Sequence, residues 1–201
     1  MSIDEKFMYR SYLQQKDGRR RIEDFILEYL DGDMQKNMLD FVAWLRENKM
    51  SPGWAGFTNA WKANNKGRTI CYMRLGGGAS NIKDVKFVIA AFLENIGNYE
   101  ETIINEGMQS LIWDNVFYCV QKPPESLPPE EFRHYGLIYP CNHWGCAPGK
   151  NTTVCGKELT NICCSITHQY FWFHDPDEAT INSIKKLLEF EKNARSKNTK
   201  K

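Results

Sequence analysis

The sequence predicts an α+β fold in which two amino-terminal helices and one carboxy-terminal helix pack on a mainly antiparallel sheet. Three observations predict it. Apolar residues recur at helical spacing near both ends of the chain, β-type runs occupy the middle, and short turn signals separate those runs. The 201 residues fit one domain over 1–194, followed by a basic tail at 195–201 that we expect to be disordered.

The first two helices are predicted over 20–30 and 34–49, where apolar side chains recur every three or four residues. Asp31-Gly-Asp33 separates them. We expect Asp33 to cap the second helix, because its carboxylate can accept a bond from a free backbone amide. Ser51-Pro-Gly53 then ends that helix, since proline and glycine both interrupt helical geometry.

The middle of the chain predicts strands. Trp61–Ala63 and Thr69–Leu75 flank Asn64–Gly67, a sequence typical of a hairpin turn, and Val85–Phe92 predicts a further strand. Gly76-Gly-Gly78 lies between the last two strands. It lacks the spacing of a phosphate-binding motif, so we interpret it as a plain loop.

Beyond the strands, 99–117 has the pattern of a helix with a weak point at Gly107. The segment 122–131 holds half of the prolines, which indicates an inserted surface loop. The residues 154–159 predict a tight hairpin with Gly156 at positive φ, and the run 162–173 has β character.

The last helix has a clear start signal in Asp175-Pro-Asp-Glu178. We expect Asp175 to be the cap, Pro176 to occupy the first turn and Glu178 to bond back to the cap residue. Apolar residues at 181, 184, 187 and 188 continue the helical pattern.

The composition restricts the possible partners. The chain has 26 basic and 25 acidic residues, so no overall charge attracts it to nucleic acid or to a membrane surface. The charged amino terminus lacks the pattern of a signal peptide, and the longest apolar run, Val85–Leu93, is far shorter than the roughly 20 residues of a membrane helix. We therefore expect a cytoplasmic protein with no membrane partner, in which disulfides are disfavoured.

The cysteines carry the most specific signal. Five of the seven lie in the cysteine-rich segment 141–164. Cys141 and Cys146 have the spacing of a zinc-binding turn, and Cys163 follows the late hairpin. We expect zinc as the cofactor, with Cys119 as the fourth ligand or, alternatively, His143. A set of thiolates without an evident open position favours a structural site rather than a catalytic one.

Two alternatives to zinc remain open, namely unliganded reduced thiols and a redox-active pair at the adjacent Cys163 and Cys164. The cysteines at 71, 155 and 164 occupy positions where a small apolar residue would fit a strand. We interpret these three as buried hydrophobic residues rather than ligands.

The string CAPGK, TT, V, GKEL and C within 146–163 resembles the carboxy-terminal section of a group of small uncharacterised bacterial proteins of the Firmicutes type. The section from Pro52-Gly-Trp54 to Leu75 is similar to their YdhG-like domain of unknown function, a compact α+β module. The resemblance implies a bacterial protein. It also implies that Cys146 and Cys163 match the recurrent cysteines of the group. Cys155 and Leu159 depart from its pattern, which has phenylalanine at both positions.

The leading functional hypothesis is a non-enzymatic binding or regulatory protein that recognises a small molecule or another protein. Its candidate pocket residues are Trp54, Trp61, Tyr72 and Arg74, because aromatic side chains with one cation suit an apolar or anionic ligand. The competing hypothesis is an enzyme that uses zinc or a thiol, although no catalytic residues can be assigned. Nucleic-acid binding is disfavoured, since Lys150 and Lys157 are the only cations of the cysteine-rich segment.

Overall fold

The computed structural model describes residues 20–55, 60–75, 85–116, 150–162 and 170–198. Among the described residues, two helices come first, a sheet follows and a long helix comes last, so the predicted α+β fold is confirmed. In chain order the elements are α1 (Ile22–Tyr29), α2 (Gly32–Glu47), β1 (Pro52–Trp54), β2 (Ala60–Asn65), β3 (Arg68–Leu75), β4 (Phe87–Phe92), a 3-10 turn (Ile96–Asn98), α3 (Glu100–Asn105), α4 (Gln109–Asp114), β5 (Lys150–Val154), β6 (Lys157–Ile162), β7 (Tyr170–His174) and α5 (Glu178–Asn198).

The main sheet has five strands in the order β1-β2-β3-β4-β7, and every neighbouring pair is antiparallel. Strands β5 and β6 form a separate antiparallel pair. Within the described ranges, none of the helices is both long and apolar enough to cross a membrane.

One face of the sheet, the inner face, carries the hydrophobic core. Side chains alternate between the two faces of a strand, so every second residue points to the same side. The inner face packs with α1, α2 and α5, whose apolar residues include Phe25, Phe41 and Leu187. Its buried strand residues are Trp61, Ala63, Cys71, Met73, Leu75, Phe87, Ile89, Ala91, Phe171 and Phe173.

Two glycines that the sequence marks as turn or break positions have left-handed backbone conformations. Lys66 and Gly67 have φ values of 51° and 78°, so they form the turn between β2 and β3 in the predicted hairpin. Gly107 has φ of 67°, a conformation that ends a helix. The single helix predicted over 99–117 is therefore wrong in extent, because Gly107 divides it into α3 and α4.

Both predicted helix caps are wrong by two residues. Asp31, with extended backbone, is the residue before α2, and Asp33 lies inside the first turn. At the last helix, Asp177 is the cap, since its Oδ1 accepts the Thr180 amide at 2.8 Å.

Asp175 has a different role from the predicted cap. Its φ is 41°, and its Oδ1 accepts the backbone amides of Lys86 at 2.9 Å and Phe87 at 2.7 Å. Its own amide donates to the Phe87 carbonyl at 2.9 Å. The carboxylate therefore fixes the end of β7 to the start of β4, a contact that local sequence patterns do not reveal.

The basic tail predicted at 195–201 is wrong for its first four residues. Helix α5 continues through Asn198, and Arg195 is only 4% exposed. Its Nε donates to Glu191 Oε1 at 2.8 Å, one helical turn earlier, and its Nη1 donates to the Thr69 carbonyl at 2.9 Å. Arg195 thus holds the end of the helix against β3.

Glu191 is the centre of a buried polar network under α5, and none of its surface is exposed. Besides Arg195, its carboxylate accepts the side-chain and backbone N–H groups of Asn95 at 2.8 and 3.0 Å and the Tyr99 hydroxyl at 2.8 Å. Burial, together with the negative charge of Glu191, raises the pKa of Tyr99, so its hydroxyl stays protonated and donates.

Glu23 links the two amino-terminal helices and should make folding stability depend on pH. Burial opposes its ionisation, but bonds from Arg46, from its own backbone amide and from Arg21 outweigh burial and lower the pKa of Glu23 to about 2. Because this pKa is lower in the folded protein than in the unfolded chain, the ionised carboxylate stabilises the fold at pH values above the unfolded pKa. That stabilisation is lost as the pH falls to the folded pKa. We expect Glu23→Gln to cost about 1 kcal/mol at pH 7, allowing for solvent screening of a partly exposed pair.

The measurement is urea unfolding of native protein and Glu23→Gln between pH 7 and pH 2. The difference in unfolding free energy should shrink as the pH falls from 4.5 towards about 2. A difference that stayed constant over this range would show that the carboxylate charge does not contribute. Glu47→Gln, which removes an exposed carboxylate from α2, serves as the control.

Candidate functional site

The four pocket residues predicted from the sequence lie on two different faces of the sheet. Trp54 is paired with Trp61 across β1 and β2, so both side chains belong to the inner face. Trp61 is 1% exposed, and its ring centroid lies 5.0 Å from that of Phe25. Tyr72 and Arg74 point to the opposite side. A surface pocket can therefore include Tyr72 and Arg74, whereas Trp61 is part of the core.

The opposite side, the outer face, joins Tyr72 and Arg74 to residues of β4 and β7. In one cross-strand row Tyr72 is paired with Ala90, and Ala90 with Trp172. In the next row Arg74 is paired with Val88, and Val88 with His174. The sequence did not indicate that Trp172 and His174 share a face with Tyr72 and Arg74. The pairing of β4 with β7 joins residues far apart in the chain, so no local sequence pattern predicts it. The outer-face residues are Ala60, Lys62, Tyr72, Arg74, Val88, Ala90, Phe92, Trp172 and His174.

The centre of the outer face is small and apolar, and its margins are large. Val88 and Ala90 are each 2% exposed, while Tyr72, Arg74, Trp172 and His174 keep intermediate exposure. Phe92 continues the central line of side chains, and its ring centroid lies 5.3 Å from that of Tyr72. The rings of Trp172 and His174 are 6.3 Å apart. Aromatic and basic groups thus lie on either side of the buried apolar residues of β4.

The charged residues among the described strand positions of the outer face are the cations Arg74 and Lys62, and none of the residues named above is acidic. Cations next to apolar surface favour an anionic partner, because a charge pair is less screened where water is partly excluded.

The predicted zinc ligands, namely Cys119, Cys141, Cys146, Cys163 and the alternative His143, lie outside the described residues. In the part of the chain that the structure describes, no three His, Cys, Asp or Glu side chains are grouped so that they could hold a metal ion. The zinc site remains a prediction, as does the proline-rich insert at 122–131.

Two cysteines lie among the described residues, and both are buried, as predicted. Cys71 is on the inner face of β3, where burial raises the pKa of its thiol to about 12. Burial and the nearby Glu100 carboxylate raise the pKa of Cys155 to about 11. Neither thiol is a nucleophilic thiolate near neutral pH.

The strand position predicted for Cys155 is wrong. Cys155 and Gly156 form the two-residue turn between β5 and β6, with φ values of 49° and 78°. Two left-handed residues suit the twist of a tight hairpin. The side chain of Cys155 is nevertheless only 3% exposed, so this turn packs into the core instead of projecting into solvent.

The β5–β6 hairpin is held against α3 and α4 by three contacts. The Trp113 indole N–H donates to the Val154 carbonyl at 2.9 Å, and the Gly156 amide donates to Glu100 Oε1 at 3.1 Å. The Lys157 ammonium lies 5.1 Å from the centroid of the Trp113 ring. The closed end of the hairpin is thereby fixed to the body of the protein.

The register of the hairpin also defines its open end. Lys150, the first residue of β5, is paired with Ile162, the last residue of β6. In sequence, Cys146 precedes Lys150 by four residues and Cys163 directly follows Ile162.

Comparison with known proteins adds no relative to this picture: the chain matches no protein-family model, no curated protein and no solved structure.

Proposed function

We propose that this protein is a non-enzymatic, zinc-stabilised binding protein of the cytoplasm, which recognises a small molecule on the outer face of its sheet. The observation that supports the binding role is the register that places Tyr72 and Arg74 on the same face of the sheet as Trp172 and His174, with Val88 and Ala90 of β4 between them. Apolar surface with a few convergent polar groups is typical of small-molecule sites.

The β5–β6 hairpin supports the zinc proposal. Paired strands lie about 5 Å apart, so Lys150 and Ile162 are close to each other. In sequence, Lys150 follows Cys146 by four residues and Ile162 directly precedes Cys163. A zinc ion needs ligands from separate stretches of chain within a few ångströms of each other. The paired ends of a hairpin that is itself fixed to α3 and α4 are consistent with this requirement.

The zinc proposal predicts one equivalent of metal per chain. The measurement is elemental mass spectrometry on protein purified without chelator or histidine tag. We expect Cys146→Ser and Cys163→Ser to lose the zinc, since serine is a much poorer ligand than a thiolate. Cys155→Ser and Cys71→Ser are matched controls that should retain it. Native protein without metal would contradict the proposal.

The binding proposal predicts ligands whose contacts map to the outer face. A library of fragments with anionic, neutral and cationic members would be screened by amide chemical-shift perturbation on the zinc-loaded protein. We expect shifts at residues of β3, β4 and β7. A screen in which no fragment perturbs these strands would refute the outer face as a binding site.

The alternative of a zinc- or thiol-dependent enzyme draws less support from the described residues. Cys71 and Cys155 have raised pKa values, which leaves both thiols protonated at neutral pH. A catalytic role that uses a thiol would therefore require Cys119 or one of the cysteines at 141, 146, 163 and 164.

A further inference from the structure

The turn between α1 and α2 contains an Asp-Gly pair, Asp31-Gly32, the dipeptide in which a side chain most easily attacks its own backbone. Glycine has no Cβ, so no side chain shields its amide nitrogen from the carboxyl group of the preceding residue. The attack changes the main chain covalently. Whether it occurs in a folded protein depends on how firmly the fold holds the two residues.

The fold leaves the side chain of Asp31 exposed and weakly held. This side chain is 94% exposed, and the Lys86 ammonium, 4.0 Å from its Oδ1, belongs to a side chain that is 53% exposed. Such a pair is screened by water and contributes little to stability. Although Asp31 directly precedes α2, its carboxylate caps none of the amides of the first turn. The carboxyl group is therefore able to turn towards its own main chain.

The backbone of the pair is equally accessible. Gly32 is the first residue of α2 and has φ of 53°, and the first four amides of a helix have no acceptor within it. A Cβ built on Gly32 would meet no described atom within 4 Å, so the space around the residue is open. Ring closure requires rotation about the Cα–C bond of Asp31. The carbonyl that moves in this rotation accepts the Gln35 amide at 3.1 Å, a bond at the helix end that opens at low cost.

We infer that Asp31 is a site of spontaneous modification, at which the main chain isomerises from aspartate to isoaspartate. The Gly32 amide nitrogen attacks the side-chain carboxyl carbon of Asp31 and forms a C–N bond. One carboxyl oxygen leaves as water, together with the carboxyl proton and the amide proton, and a succinimide ring remains. Water then adds to one of the two ring carbonyls and breaks its bond to nitrogen. Addition at the side-chain carbonyl restores aspartate, whereas addition at the main-chain carbonyl leaves a main chain that is one methylene longer.

The test follows oxygen exchange, because each opening of the ring brings one oxygen of solvent water into the product. Native protein is incubated in water enriched in oxygen-18 at about pH 5, where more of an aspartic side chain is protonated than at neutral pH. It is then digested with trypsin in ordinary water, and electron-transfer fragmentation of the peptide 22–36 locates the label and distinguishes isoaspartate from aspartate. We expect label and isoaspartate at Asp31 and at neither Asp24 nor Asp33, since a bulky side chain follows each of those two.

The synthetic peptide 22–36 gives the rate of the same pair without the fold. The native protein should label Asp31 at a rate within about 10-fold of that of the peptide, since a helix end opens at little cost in free energy. A rate below that range, or no label at Asp31 in the native protein, would overturn the inference, because it would show that the turn between α1 and α2 protects the pair.

Two substitutions test the ring-closure step. Asp31→Glu should abolish the label, because the longer side chain would need a six-membered ring, and Gly32→Ala should slow it several-fold, because a methyl group shields the amide nitrogen. Asp33→Glu and Gly97→Ala make the same changes outside the pair and should leave the rate at Asp31 unchanged. Gly32→Ala places a side chain at a left-handed position, so if it does not fold, Asp31→Glu decides the question. Label at position 31 of Asp31→Glu, or a native rate in folded Gly32→Ala, would overturn the inference.

Discussion

Replacing Glu191 by leucine is expected to lower the free energy of unfolding by about 3–5 kcal/mol, because four buried donors lose their acceptor and Arg195 keeps only the more distant carboxylate of Glu94, 3.8 Å from its Nη2. Four donors converge on this carboxylate: the Nε of Arg195, both N–H groups of Asn95 and the hydroxyl of Tyr99. When one partner of such a network is removed, the remaining donors stay buried without an acceptor. Each then costs its full desolvation free energy. Urea unfolding monitored by circular dichroism would measure the loss.

The matched variants separate the charge effect from simple loss of a side chain. Glu189→Leu changes an exposed glutamate of the same helix and should alter stability by less than about 0.5 kcal/mol. The double change Glu191→Leu with Arg195→Met removes both charges, and we expect it to recover much of the loss. A single variant Glu191→Leu as stable as the native protein would contradict the assignment of a buried ion pair.

Trp61→Ala is expected to cost about 3–5 kcal/mol, since a large aromatic side chain in a packed core leaves a cavity that the surroundings fill only in part. Trp61 is 1% exposed and contacts Phe25, so its loss uncouples β2 from α1. Trp61→Phe keeps an aromatic ring in the core and should cost less than Trp61→Ala, because it leaves a smaller cavity. Its indole Nε1 has no hydrogen-bond acceptor among the described residues, so phenylalanine loses no described bond.

Trp61→Phe and Trp172→Phe together test the division of the predicted pocket between two faces. Trp61→Phe should keep the affinity of the native protein for any fragment that binds the outer face, because Trp61 faces the core. Trp172→Phe, on the outer face, should weaken binding while changing stability little. If Trp61→Phe lost binding at unchanged stability, Trp61 would belong to the ligand site. That result would contradict the pairing of β2 with β3, which places Trp61 on the inner face.

Sequence patterns predicted the features that depend on near neighbours. The turn at Lys66 and Gly67 was predictable because glycine and a short polar run match the backbone twist of a hairpin. The caps were not, because Asp175 is drawn away from α5 by the amides of Lys86 and Phe87, far away in sequence. Likewise the burial of Arg195 depends on carbonyl groups of β3 and β4.

The candidate site shows the same limit. Residue chemistry selected Tyr72 and Arg74, and strand alternation could have separated them from Trp61. Their partners Trp172 and His174 depend on which strand lies next to β4, a choice made by the packing of the whole sheet. The zinc ligands are predicted by spacing and chain context, and they stay a prediction.

The position of β7 at the edge of the sheet has a consequence for the order of folding. Short connections join β1 to β2, β2 to β3 and β3 to β4. In contrast, 77 residues, 93–169, separate β4 from its other neighbour β7 in the sequence. Loop closure costs more entropy as the loop grows, and nonlocal contacts slow folding. The meander of β1 to β4 therefore forms through local contacts, and the outer face of the sheet is completed only when β7 pairs with β4.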